Sequence, residues 1–192
     1  MISGITVVSG NICLGKDKFD SPINWASEKD QKFYLNKMIK SAPIGIMSIE
    51  TYQEVLNNPR KKSIYSKLNL VIINSKINYK KEKFITNKAN SKHVFTKITN
   101  IKENLEFYKK YFKNNNIFIL GDEKIYRSFL PFCDNFWLTI ENNLNFAKGI
   151  SLFPKCKNTN ELINIMQKNK LFISKIDHLS KNTTLYEFRK IK

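Results

Sequence analysis

Short apolar runs that alternate with amphipathic segments constrain the fold of this chain more than any other feature of its sequence. Residues 44–48, 70–73 and 117–120 have the length and the nearly continuous apolar character of buried strands. Strands that alternate with helices form a mainly parallel sheet with helices on its faces. The remaining predicted strands are 5–8, 94–95, 135–140, 171–176 and 184–191, and the predicted helices are 27–40, 101–112, 123–130 and 160–168, with one more starting near Glu50.

The last two predicted strands flank Lys181 and Asn182, which predicts an antiparallel hairpin at the end of the sheet. Between the regular elements, residues 11–24 are predicted as a polar loop and residues 59–63 as a basic turn. Residues 76–92 are predicted as a surface loop or edge excursion. We therefore predict an α/β fold in a single domain over residues 1–192, with a central mixed, mostly parallel sheet, flanking helices and a C-terminal antiparallel hairpin.

Composition excludes several classes of protein. No apolar run approaches the roughly 20 residues of a membrane span, and the N-terminus enters a strand-like run without a basic leader. The three cysteines lack CxxC spacing, which argues against a disulfide framework or a zinc site. His93 and His178 lie far apart and are predicted to be surface residues. We expect a cytoplasmic protein with no metal and no membrane partner.

The net charge of +17 is compatible with nucleic-acid binding, but its distribution argues against that function. Thirty of the basic residues are lysines spread along the chain, and only three are arginines. Proteins that read phosphates and bases favour the bidentate arginine side chain. The charge is therefore interpreted as compositional bias, and no nucleic-acid partner is expected.

One carboxylate stands on the apolar side of the first predicted helix. Steps of three and four residues from Asp30 reach Phe33, Tyr34 and Met38, so the acid shares the face that an amphipathic helix buries. Burial raises the pKa of a carboxylic acid from about 4 toward neutrality, which suits proton transfer. Ser27-x-x-Asp30 also fits a capping box, in which Asp30 would only bond a backbone N–H. Local sequence leaves both interpretations open.

Besides Asp30, the sequence contains several short motifs that follow one another in a characteristic order along the chain. They are residues 1–5 with 14–15, Trp25 with Asp30, residues 46–52, residues 119–126 with 129–131, and residues 137–139 with 152–154. Together they resemble the dihydrofolate reductase family over nearly the whole chain. The resemblance implies NADPH-dependent reduction of 7,8-dihydrofolate, antifolate-like ligands and a monomer.

The resemblance also implies roles for individual residues. Asp30 would handle the proton, Trp25 matches the tryptophan of the family, and Thr139 would fix the Asp30 carboxylate. Substrate-binding positions are Ile5, Val7, Asp30, Tyr34, Val55, Leu120 and Tyr126, with Lys67 in place of an arginine that binds the substrate's carboxylate. Cofactor-binding positions are Val7, Leu14, Gly15, Ser48, Ile49, Thr51, Asn74, Gly121, Asp122, Lys124, Ile125 and Tyr126.

The sequence departs from the family pattern in the half that would bind the cofactor. Gly121 is followed by Asp122 and Glu123, where a second glycine is usual, and Glu50 stands where a basic residue would meet the 2′-phosphate of NADPH. Lys76 or its lysine-rich neighbours could bind that phosphate instead. The two acids could cap the following helix, replacing the ligand's anion, or could point away while the helix still binds phosphate. Alternative functions are a reductase of another pteridine or pyrimidine, of the riboflavin-pathway type, and a binding protein with impaired cofactor binding.

Overall fold

A computed structural model describes residues 1–17, 20, 22–41, 43–74, 83–86, 91–97 and 100–191. The strands in this part of the chain are β1 (Ile2–Ser9), β2 (Cys13–Gly15), β3 (Ile44–Ser48), β4 (Leu70–Ile73), β5 (Lys83–Thr86), β6 (Lys92–Thr96), β7 (Ile117–Ile119), β8 (Asn135–Glu141), β9 (Ile150–Ser151), β10 (Leu171–Ser180) and β11 (Thr183–Lys190). The helices are α1 (Glu28–Ser41), α2 (Ile49–Asn57), α3 (Pro59–Tyr65), α4 (Ile101–Phe112), α5 (Glu123–Phe129) and α6 (Thr159–Lys168).

Nine of the described strands form one sheet in the order β10-β11-β8-β1-β7-β3-β4-β6-β5. The six central strands, from β8 to β6, pair in parallel, and β11, β10 and β5 add antiparallel edges. Strands β2 and β9 form a separate two-stranded ribbon. The predicted α/β fold class, the mostly parallel sheet and the C-terminal hairpin are confirmed.

The helices cover both faces of the sheet because successive side chains of its strands point to opposite sides. On one face, Phe118 and Trp137 pack with residues of α1, α2 and α3. On the other face, Phe136 and Leu138 pack with residues of α4, α5 and α6. The central strands are therefore buried on both sides, which explains their continuous apolar sequences.

Three local predictions are corrected by the structure. Residues 11–24 were predicted as a polar loop, but Cys13–Gly15 form β2, which pairs with β9. Residues 59–63 were predicted as a turn, but they lie in α3, where Pro59 occupies the first helical position that proline tolerates. His93 was predicted at the surface, but β6 lies inside the sheet and His93 is buried, with its Nδ1 at 2.9 Å from the Tyr52 hydroxyl. Burial lowers the pKa of His93, so the ring is neutral at neutral pH. His178 is exposed, as predicted.

Within the described part of the chain, no helix combines the length and apolar character that crossing a bilayer requires. Cys13, Cys133 and Cys156 are buried and free. Among the described residues, no group of His, Cys, Asp and Glu side chains is arranged to hold a metal ion.

The central strand β1 allows a test of the packing between sheet and helices. Gly4 lies opposite Phe136, and a Cβ at Gly4 would stand 2.3 Å from two carbons of that fully buried ring. We expect Gly4→Ala to lower the free energy of unfolding by about 1–3 kcal/mol, because the ring has no free space to enter. Urea denaturation measures this change.

Ser3→Ala is the matched control on the same strand. The buried Ser3 hydroxyl has no hydrogen-bond partner among the residues described, so its removal should leave stability unchanged or raise it. Equal stability of the Gly4→Ala and native proteins would contradict the observed packing.

Candidate active site

A cavity of about 1010 Å³ opens at the carboxyl ends of the parallel strands. Its walls come from β1, from the residues that follow β7 and from one side each of α1, α2, α3 and α5. Ligands of open α/β sheets bind at this edge, where successive connections leave toward opposite faces. Strands β3 and β7 are such neighbours, because α2 and α5 pack on opposite faces. The position of the cavity in the fold therefore makes it the candidate ligand site.

Asp30 lies in the first turn of α1 and forms part of the cavity wall. The Ser27 hydroxyl caps the helix by accepting a hydrogen bond from the Asp30 N–H at 3.3 Å. The reciprocal bond does not come from Asp30, because the Ser27 N–H donates to Glu141 at 2.7 Å. Only one of the two hydrogen bonds of a capping box therefore forms between Ser27 and Asp30, and the Asp30 carboxylate is not needed for the cap.

The Asp30 carboxyl group titrates close to neutral pH. Its pKa is raised from 3.8 to about 6, mainly by burial and to a smaller extent by the negative charge of Glu141. A hydrogen bond with the Thr139 side chain acts in the opposite direction. Asp30 is only 5% exposed and yet contacts the cavity, so it is placed to exchange a proton with a bound molecule.

Glu141, which sequence reasoning missed, holds this arrangement together. Its carboxylate is buried and accepts hydrogen bonds from the Ser27 N–H and, at 2.8 Å, from the Thr183 hydroxyl. The local signal was an acid at the end of the apolar strand β8, but its partner is 114 residues away. Thr139 and Glu141 point to the same face of β8, because side chains of a strand alternate.

Phenolic side chains line the cavity near Asp30. The Tyr34 and Tyr65 hydroxyls form a hydrogen bond between α1 and α3, and the Tyr126 hydroxyl donates to the carbonyl of Ile5 at 2.7 Å. Burial raises the pKa of Tyr65 to about 12 and raises those of Tyr34 and Tyr126 as well. These groups are therefore neutral at physiological pH. They form an aromatic wall that suits a flat heterocyclic ligand.

The other arm of the cavity lies between the starts of α2 and α5. Asp122 caps α5 by accepting from the Ile125 N–H at 3.1 Å, and it accepts a second hydrogen bond from the Ser48 hydroxyl at 2.7 Å. Ser48 in turn caps α2 by accepting from the Thr51 N–H at 3.2 Å. The sequence left open whether the acids after Gly121 cap the helix or point away from it. In the structure the Asp122 carboxylate caps α5.

Two further features define this arm. A Cβ at Gly121 would lie 2.4 Å from the Cβ of Ile125, so glycine is required for the close approach of strand end and helix. Glu123, next to Asp122, forms an ion pair with Arg127 at 3.1 Å. Its side chain therefore has a cationic partner within the helix.

The lining of the cavity is acidic although the chain is basic. Among the described residues that line it, seven are acidic and one, Lys124, is basic. The acids are Asp17, Asp20, Asp30, Glu50, Glu54, Asp122 and Glu123. The volume suits a substrate beside a dinucleotide, and Lys124 with the hydroxyls of Ser48 and Thr51 suits the polar parts of the latter. The described charges do not fit the additional phosphate of NADPH.

Most of the predicted site residues meet at this cavity. Those that line it are Ile5, Val7, Leu14, Asp30, Tyr34, Ser48, Thr51, Val55, Leu120, Gly121, Asp122, Lys124, Ile125 and Tyr126. Their individual roles in binding and catalysis stay predictions. Lining residues that sequence reasoning missed include Thr6, Gln31, Glu54 and Tyr65.

Six predicted residues lie outside the lining. Thr139 is behind Asp30, and Trp25 packs edge-on against Phe146 with ring centroids 5.3 Å apart. Gly15 is buried in β2, and Ile49 packs against the core beneath α2. Asn74, at the end of β4, donates its N–H to the carbonyl of Thr96. Lys67 is exposed in the turn after α3, and its contact with a substrate carboxylate stays a prediction.

The raised pKa of Asp30 predicts a dependence of stability on pH. Below pH 3.8 the group is protonated in both folded and unfolded chains, whereas above about pH 6 the folded state must bury a charge. The destabilisation reaches about 3 kcal/mol at high pH. We expect Asp30→Asn to raise the free energy of unfolding at pH 8 and to change it little near pH 4.

Urea denaturation at both pH values measures this effect. Asp17→Asn is the control, because Asp17 is an exposed acid of the same cavity and no similar stabilisation is expected from its substitution. A stabilisation by Asp30→Asn of the same size at pH 4 and pH 8 would contradict the buried-charge explanation.

Comparison with known proteins identifies the fold. No family model matches the sequence, and no curated protein matches it. Similar solved structures are a diaminohydroxyphosphoribosylaminopyrimidine deaminase/5-amino-6-(5-phosphoribosylamino)uracil reductase from Thermotoga maritima (TM-score 0.69), a putative riboflavin biosynthesis protein from Shewanella sp. PV-4 (TM-score 0.65) and the dihydrofolate reductase from Enterococcus faecalis complexed with NADP(H) and RAB-propyl (TM-score 0.63).

Each of the three matches covers 100% of this chain at 13% sequence identity. The chain spans 56% of the Thermotoga protein, 99% of the Shewanella protein and 97% of the Enterococcus protein. Identity this low shows the fold and not the substrate. The chain has the fold that dihydrofolate reductase shares with these riboflavin-biosynthesis proteins.

Proposed function

We propose that this protein is an oxidoreductase that reduces the ring of a pterin, with 7,8-dihydrofolate as its substrate. The observation that carries the proposal is Asp30, a buried carboxyl group with a pKa of about 6 on the wall of a large cavity. A pterin presents an amino group and a ring N–H side by side, and a carboxylate accepts both hydrogen bonds. The aromatic wall near Asp30 suits the flat ring.

The proposed chemistry needs a proton at a ring nitrogen and a hydride at the adjacent carbon. A nicotinamide dinucleotide, NADPH in the family that the sequence resembles, supplies the hydride when it is bound. Asp30 binds the ring as a carboxylate, takes up a proton from solvent, for which its pKa of about 6 is suited, and passes that proton to the nitrogen through a water molecule. The hydrogen bond with Thr139 fixes the direction of the carboxyl group, while burial and, to a smaller extent, the charge of Glu141 keep its pKa high.

Reduction of a ribosylaminopyrimidine is the second candidate. The folds of the Thermotoga and Shewanella proteins support it as well as the Enterococcus enzyme supports dihydrofolate. Parallel assays with dihydrofolate and with 5-amino-6-(5-phosphoribosylamino)uracil separate the two candidates.

Loss of the Asp30 carboxyl group tests the catalytic assignment. We expect the native protein to oxidise NADPH or NADH in the presence of dihydrofolate, and Asp30→Asn to lower kcat at least about a hundredfold. The decrease in absorbance of the reduced nicotinamide measures the rate. Asp20→Asn, which removes an acid from the cavity entrance, is the matched control and should retain most activity.

Turnover by Asp30→Asn at the native rate would refute the role of Asp30. Absence of turnover by the native protein with either substrate and either cofactor would refute the proposed activity. Binding of a 2,4-diaminopyrimidine antifolate, measured separately, should depend on the Asp30 carboxylate in the same way.

The dependence of rate on pH tests the proton transfer itself. Protonated Asp30 is the donor, so kcat should fall as pH rises through about 6. Thr139→Val removes the hydrogen bond that lowers the pKa of Asp30, and we expect the falling limb to move to higher pH. A limb that stays in place in Thr139→Val would show that another group determines it.

A further inference from the structure

We infer that the cavity selects against negative charge on its dinucleotide, so that the reductase uses NADH in preference to NADPH. This inference rests on the proposed function, and the charges that line the cavity determine which of the two cofactors is preferred. It differs from the expectation of NADPH, which came from the resemblance of the sequence to a family.

The first observation is the contrast between the cavity and the rest of the chain. The sequence has 33 basic and 16 acidic residues, yet the described lining has seven acids and Lys124 alone as a base. A cleft lined by one sign of charge concentrates its field because its walls have a low dielectric constant. A ligand with fewer phosphates therefore enters this cavity more easily.

The second observation is the position of the acids in the arm between α2 and α5. Glu50 is in the first turn of α2, and Glu54 follows one turn later on the side that faces the cavity. In doubly wound folds an acid just beyond a strand of the binding edge accepts the ribose 2′-hydroxyl, whereas an arginine nearby accepts a 2′-phosphate. Glu50 is the second residue after β3 and fits the first case.

The third observation is that the polar groups at the base of this arm already have anionic or backbone partners. The Ser48 hydroxyl donates to Asp122, and the Asp122 carboxylate also accepts from the Ile125 N–H. The negative charge of Asp122 opposes the pyrophosphate, which NADH and NADPH share, and it also repels the 2′-phosphate that only NADPH carries. At about 10 Å and an effective dielectric near 20, each added like-charge pair lowers affinity roughly threefold to tenfold after screening by salt.

Calorimetric titration with two nucleotide probes tests the inference without turnover. We expect the native protein to bind ADP-ribose about tenfold or more tightly than 2′-phospho-ADP-ribose, with a preference that decreases at high salt. Glu50→Gln should reduce the preference, and Glu50→Lys should reverse it. Glu28→Gln, an exposed acid of α1 outside the cavity lining, is the control and should leave the preference unchanged.

The lysines near residue 76 lie outside the described residues, and Lys76→Gln completes the set of variants. Its binding preference should match that of the native protein. Equal or tighter native binding of the 2′-phosphorylated probe, an unchanged preference in Glu50→Gln, or no binding of either probe would overturn the inference. So would a marked loss of 2′-phospho-ADP-ribose binding in Lys76→Gln.

Steady-state kinetics separate this inference from the function on which it rests. A higher kcat/KM with NADPH than with NADH would overturn the inference and support the reductase. Discrimination between the two probes in a protein that reduces neither substrate would support the charge selection and refute the reductase.

Discussion

The hydrogen bond from the Ser27 N–H to Glu141 is the constraint on which the candidate site depends. It attaches the start of α1 to the end of β8, a neighbour of the central strand β1. Because the Ser27 N–H donates to Glu141 in the sheet, it does not need the Asp30 carboxyl group as an acceptor. The same face of β8 supplies Thr139, which holds that carboxyl group, and Glu141, whose charge opposes its ionisation.

This arrangement keeps two carboxyl groups close together in a buried region, which is unfavourable for folding. Glu141 is compensated by hydrogen bonds from Ser27 and Thr183, whereas Asp30 has the Thr139 hydroxyl and a raised pKa. Groups with such perturbed pKa values concentrate where proteins transfer protons. The stability that is lost at Asp30 is consistent with selection for chemistry at this position.

The sequence predicted those features that depend on neighbouring residues. The helix over residues 101–112 and the strand over residues 44–48 have the predicted bounds, because periodicity and apolar runs are local properties. The placement of Asp30 on the buried side of α1 followed from helical spacing. The role of Glu141 was not predictable in this way, because a capping box is a local pattern and the acid that completes it here is distant in sequence. The burial of His93 likewise depends on the position of β6 in the sheet.

The two tryptophans lie in environments that differ enough to be distinguished optically. Trp137 is buried beside Phe118, with the Lys37 ammonium 4.3 Å from its ring centroid, whereas Trp25 is half-buried just ahead of α1 and its indole N–H has no hydrogen-bond partner among the described residues. Intrinsic fluorescence should therefore contain two components. Emission from Trp137 reports on the core. Emission from Trp25, two residues before Ser27, reports on whether the start of α1 stays attached to the sheet.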